Sequence, residues 1–100
     1  MRLPALSDEE DIILQRQIAT GQVSVTTAVT EIGAARNARR EVLIKNLSTS
    51  VTVYVGTARV TTTTGFELLV GESVTISANA AIYGVTASGT ATVHYLEEWD

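Results

Sequence analysis

His94 is the single histidine of this 100-residue chain and the first place to look for proton transfer or metal ligation. It stands in TATVHYLEE, residues 90 to 98, where it alternates with Val93 and Tyr95 and so occupies one face of a strand. A Ser-His-Asp arrangement needs one serine and one acid brought to it across strands, and no spacing selects them. Carboxylates gather at both ends, as Asp8, Glu9, Glu10 and Asp11 and then as Glu97, Glu98 and Asp100. Glycoside hydrolysis needs two carboxylates opposed across a cleft. Consecutive acids in a first helical turn instead complement the helix dipole, and those at the other end read as a solvated tail.

The run DEED lacks the alternating oxygen ligands and the glycine of a calcium loop. With no cysteine, the chain has no thiolate nucleophile, disulfide or Cys-ligated metal. Gly56, Gly65, Gly71, Gly84 and Gly89 are separated as turn or bulge residues are, with no phosphate cradle among them. The expectation is a protein that is not an enzyme and holds no cofactor or metal.

A net charge of −4 argues against nucleic acid as a partner, because such binding is driven by Lys and Arg neutralising phosphates. Arg36, Arg39 and Arg40 are too small a basic cluster to reverse this. No stretch reads as a spanning helix, and MRLPALSDEED turns acidic without the apolar core of a signal peptide, so no membrane or secretory address is expected. The 45% hydrophobic and 18% charged composition is that of an ordered globular chain.

The elements that must position these residues fall into two parts. Ser7 stands three residues before Glu10, the spacing of a capping box, and Ile12, Ile13, Leu14 and Ile18 follow before Gly21. This predicts a helix over residues 8 to 19 behind an extended arm through Pro4. Residues 1 to 21 are expected to be arm and helix, and residues 22 to 100 one β-domain.

From Gly21 onward the period is two. QVSVTTAV and VTVYVG alternate, EVLIKNL is apolar on both faces and suits a buried strand, and residues 32 to 40 read as a loop with Gly33 and Asn37 tolerant of positive φ. Turn signals at Ser48 to Ser50, Gly71-Glu72 and Ser88-Gly89 predict three hairpins. The four threonines 61 to 64 suit an exposed edge strand or a taut loop, with Phe66 and Leu68 turned toward a core. Six or seven short strands so spaced predict a mainly β protein, an antiparallel β-sandwich or barrel-like domain.

Contact surfaces are the remaining functional candidates. Leu3, Leu6, Ile12, Ile13, Leu14 and Ile18 exceed what the β-domain needs for its own core, so they either meet a partner or cover an open end of the sandwich. Trp99, flanked by acids one residue from the end, suggests packing on a neighbour, and Arg39 and Arg40 are further partner-contact candidates. Tyr54 and Tyr83 could supply an aromatic face for a glycan.

The series ARNARREVLIKNLSTSVTVYVG, VTTTTGFELLVGESVTI and AIYGVTASGTATVHYLE resembles the small structural proteins of tailed bacteriophages. The matching elements are Arg39 and Arg40, Val42 to Asn46, Val53 to Gly56, Gly65 to Val74, and Ala81 to Ala91, within residues 36 to 97. The resemblance implies a β-rich virion surface module of the capsid decoration or head fibre type, assembled in the host cytoplasm. It further implies a homotrimer, with the major capsid protein as partner, and no catalytic residues. The acidic segment and arm lie outside the pattern.

Overall fold

The structure, a computed structural model, describes residues 16 to 100, which form eight strands and no helix. They are β1 (Gln17–Val25), β2 (Thr30–Gly33), β3 (Arg39–Asn46), β4 (Val53–Gly56), β5 (Phe66–Leu68), β6 (Ser73–Ile76), β7 (Ile82–Val85) and β8 (Ala91–Trp99). Apolar residues at period two, Val23 and Val25 on β1, Val42 and Ile44 on β3, Val53 and Val55 on β4, and Ala91 and Val93 on β8, put one side of each strand inward, as mostly β-branched side chains on a pleated surface favour.

The strands make two four-stranded sheets, ordered β1-β8-β3-β6 and β2-β7-β4-β5, and every pairing is antiparallel. Apart from β4 and β5, consecutive strands do not pair with one another. Such interleaving is the strand order of an eight-stranded jelly roll. One core joins the sheets: Val25, Val42, Ile44, Ala91 and Val93 from the first meet Ile32, Val53, Val55, Leu68 and Ile82 from the second. Burying each large aliphatic side chain is worth about 1.5–3 kcal/mol, and this cluster is what holds sheet to sheet.

Several expectations are corrected. Residues 17 to 19 are strand, so the predicted helix does not reach Ala19; residues 1 to 15 lie outside the described residues, and with them Leu3, Leu6, Ile12 and Ile13. Gly21 is not a helix stop. It pairs with Tyr95, whose ring lies so close that a Cβ at Gly21 would fall 2.7 Å from the Tyr95 hydroxyl, and β1 runs unbroken through the expected joint at residues 20 to 22. A truncation that spares the sheet must end before Gln17.

β3 is not buried on both faces: Val42, Ile44 and Asn46 are buried while Leu43 and Lys45 are exposed. Gly33 ends β2, and the positive φ falls on Ala38 (62°) instead of Gly33 or Asn37. The three predicted hairpins are crossings between sheets, β3 to β4, β5 to β6 and β7 to β8. Gly71 and Gly89 do carry positive φ there, at 79° and 76°.

The threonines form a taut loop between β4 and β5. Thr61 Oγ1 accepts the N–H of Thr63 at 3.2 Å and of Thr64 at 3.0 Å, and the Gly65 N–H closes on the Thr61 carbonyl at 2.8 Å. Buried Val60 anchors it, close enough that a Cβ on Gly56 or Gly65 would meet its Cγ2 at 2.9 and 2.7 Å. Leu68 is in the core as expected, whereas Phe66, near the open end of an edge strand, is 61% exposed.

Candidate interaction surface

The charged candidates meet at one end of the molecule. Arg39 pairs with Trp99 across β3 and β8, and a register shift between Arg39 and Glu41 turns the Arg39 side chain inward. Its Nε donates to Glu97 Oε2 at 2.9 Å, its Nη1 to the carbonyls of Ala78 (2.9 Å) and Ala80 (2.8 Å), and its Nη2 to the Ala34 carbonyl. Arg39 is thus a buried clamp, not the surface contact expected of it.

Trp99 has the Arg36 guanidinium of its own chain stacked 3.7 Å from its ring centroid. Arg36 Nε also lies 3.1 Å from Glu97 Oε2, a second guanidinium on the same carboxylate oxygen. Arg40, half exposed, faces Asp100 at 3.5 Å, and Arg16 faces Glu98 at 3.5 Å and Asp100 at 3.6 Å. The acids at residues 97 to 100 are therefore not a free solvated tail. They tie both β3 and the start of β1 to the end of β8.

Burial pushes the Glu97 carboxyl upward, but the bonding and charge of Arg36 and Arg39 outweigh it and leave the group below its ordinary value of 4.5. A lowered folded value means that the stabilisation is complete above about pH 4.5 and is lost as pH falls through the folded value. Comparing melting of the wild type with Glu97→Gln from neutrality into acid, the wild type's advantage should narrow below that point. A gap constant with pH would contradict the assignment.

The outward face of the β1-β8-β3-β6 sheet carries the apolar surface. Register sets Thr20 beside Leu96, Leu96 beside Leu43 and Leu43 beside Thr75, one row across all four strands. Ile18 adjoins it, and Ile18, Leu96 and Leu43 are 66%, 41% and 36% exposed. On one side the row is bounded by Gln22, His94, Lys45 and Ser73, on the other by Glu98 and Glu41. A depression of about 460 Å³ lies over Thr20, Gln22, Leu43, Lys45, His94 and Leu96.

His94 is a strand residue of this face, as expected, and its Nε2 is buried with no hydrogen-bond partner among the described residues. No group of three or more His, Cys, Asp or Glu that could hold a metal occurs among the described residues. No described helix is long and apolar enough to cross a membrane.

The outward face of the other sheet carries Tyr54 and Tyr83, neighbours on a diagonal, since Tyr54 pairs with Val85 and Gly56 with Tyr83. Tyr83 donates its hydroxyl to Glu31 at 3.4 Å, and Glu67 stands opposite Tyr54. A third feature is an apolar crevice of about 360 Å³ lined by Val55, Phe66, Val74, Ile76 and Ile82.

Set against protein-family models, curated proteins and solved structures, the chain gives no match.

Proposed function

We propose that the chain is a non-enzymatic virion structural module of the capsid decoration type, a jelly-roll sandwich that docks on the major capsid protein through the outward face of its β1-β8-β3-β6 sheet. The observation that carries the choice of face is the exposed row of Leu96 and Leu43 with Ile18, on a sheet whose inner side already closes the core. Apolar surface left over after folding marks a contact site. The virion setting rests on the resemblance of residues 36 to 97.

Size argues for multiple attachment. Four strands at about 4.8 Å and nine residues at about 3.4 Å give a face on the order of 600 Å², below the roughly 800 Å² that one partner contributes to a standard interface. One copy would hold weakly, and joined copies gain by avidity. A ligand that binds only the assembled shell stabilises it by mass action.

The test is co-sedimentation of the full chain with empty heads of its phage. Leu43→Glu with Leu96→Lys replaces the row by a cross-strand ion pair that the sheet tolerates. Binding should fall at least tenfold with the β-rich far-UV CD spectrum kept. Undiminished binding would remove this face from the contact, and no binding by the wild type would remove the capsid as partner.

A second reading is a fibre or tail module that binds a host glycan, favoured by the Tyr54 and Tyr83 diagonal beside Glu31 and Glu67. It predicts a glycan-array signal that Tyr83→Ala abolishes; a blank array would set it aside.

A further inference from the structure

The two sheets have four edges, and three of them are blunted. β5 has three residues and includes Glu67, β6 has four, and β2 has four, with a register shift between Glu31 and Gly33. β1 is different. It has nine residues, pairs with β8 from Gln17–Trp99 to Val25–Ala91 without one shift, and contains no Pro. No charged residue occurs between Arg16 and Glu31.

An edge of this kind invites pairing, because every second residue turns its N–H and C=O away from the sheet and nothing repels an incoming strand. Natural proteins guard such edges with charge, proline, bulges or brevity, and β1 has none of these. Among the described residues nothing pairs with its open side.

We propose that β1 is the self-association edge of this protein: the β1 strands of two copies pair antiparallel about a two-fold axis and fuse two four-stranded sheets into one of eight. The sequence of β1 is self-complementary in that register. Centred on Gly21, Ile18 stands opposite the second copy's Ser24, Thr20 opposite its Gln22, Ala19 opposite its Val23 and Gln17 opposite its Val25. No like charges oppose each other, and at the axis two glycines meet, each covered on the inner side by the Tyr95 ring of its own chain. The outward faces of both copies then run on as a single surface. The pairing is independent of whether that surface binds a capsid.

The decisive measurement is the solution mass of the full chain by light scattering over a range of concentrations. The expected mass is that of two chains. Thr20→Lys with Gln22→Lys, at exposed outward positions, sets lysines against lysines across the axis and should weaken association at least a hundredfold with the CD spectrum unchanged. Mixing that variant with Thr20→Glu/Gln22→Glu should restore the two-chain mass.

A single-chain mass for the wild type, a three-chain mass, or a dimer that survives the lysines would overturn the proposal. Should the lysine variant fail to fold, wild-type amide exchange decides. Concentration-dependent protection of the β1 amides turned away from β8 supports the pairing, and equal exchange at all concentrations overturns it.

Discussion

Arg39→Met is expected to cost about 3–5 kcal/mol of stability, the range for removing one partner of a buried ion pair. The Arg39 side chain is fully buried, and its guanidinium donates to Glu97 and to the carbonyls of Ala34, Ala78 and Ala80. Methionine fills similar volume but donates nothing, so Glu97 keeps only the contact of half-exposed Arg36, and three carbonyls lose their donor. Domains of this size have about 5–15 kcal/mol in all, so melting should fall by more than about 12 °C. Adding Glu97→Leu should recover part of the loss, because the stranded charge goes while the carbonyls stay unpaired. A melting point within a few degrees of wild type would show that the clamp is dispensable.

Arg39 also shows why the site was only partly legible in the sequence. Counting back by two from buried Val42 puts Arg40 inward and Arg39 outward. One extra residue, marked by the register shift between Arg39 and Glu41, reverses that phase. No residue type in RRE announces such a bulge, so Arg39 reads as a surface basic residue. Trp99 and Glu97 follow from the same cause, since their partners Arg36 and Arg39 converge only once β3 lies beside β8.

The strands themselves were legible where apolar residues at period two, such as Val23 and Val25 or Val53 and Val55, bind local sequence to burial. Their sheet assignment was not. Gly71 and Gly89 need positive φ whether the chain turns back in one sheet or passes to the other, so turn chemistry predicts a reversal and leaves its destination open. At the start of the chain, the capping spacing and Gly21 suggest a helix ending near Ala19, but Gly21 serves Tyr95 across a strand pair. The outward row was not visible: EVLIKNL reads as a strand buried on both faces, and only the register with β8 turned Leu43 and Leu96 into one exposed patch.

Asn46→Leu is expected to cost about 3 kcal/mol, with melting lowered by roughly 12–24 °C. Asn46 is wholly buried at the end of β3, where two of the crossings between sheets meet. Its Nδ2 donates to the carbonyls of Val51 (2.9 Å) and Leu68 (3.0 Å), and its Oδ1 accepts the Ser48 N–H at 2.9 Å. Leucine matches the volume and strands all three groups. Water can reach those near Ser48 and Val51, which keeps the cost below the sum of three orphaned groups. Asn46→Asp separates hydrogen bonding from packing: it keeps the acceptor for Ser48 but turns an oxygen toward two carbonyls. At neutral pH it should be at least as damaging as leucine. Burial beside carbonyls favours the protonated carboxyl, which can donate, so its stability deficit should shrink as pH falls. An aspartate variant with a deficit independent of pH would mean that Asn46 matters for its shape and not for its donors.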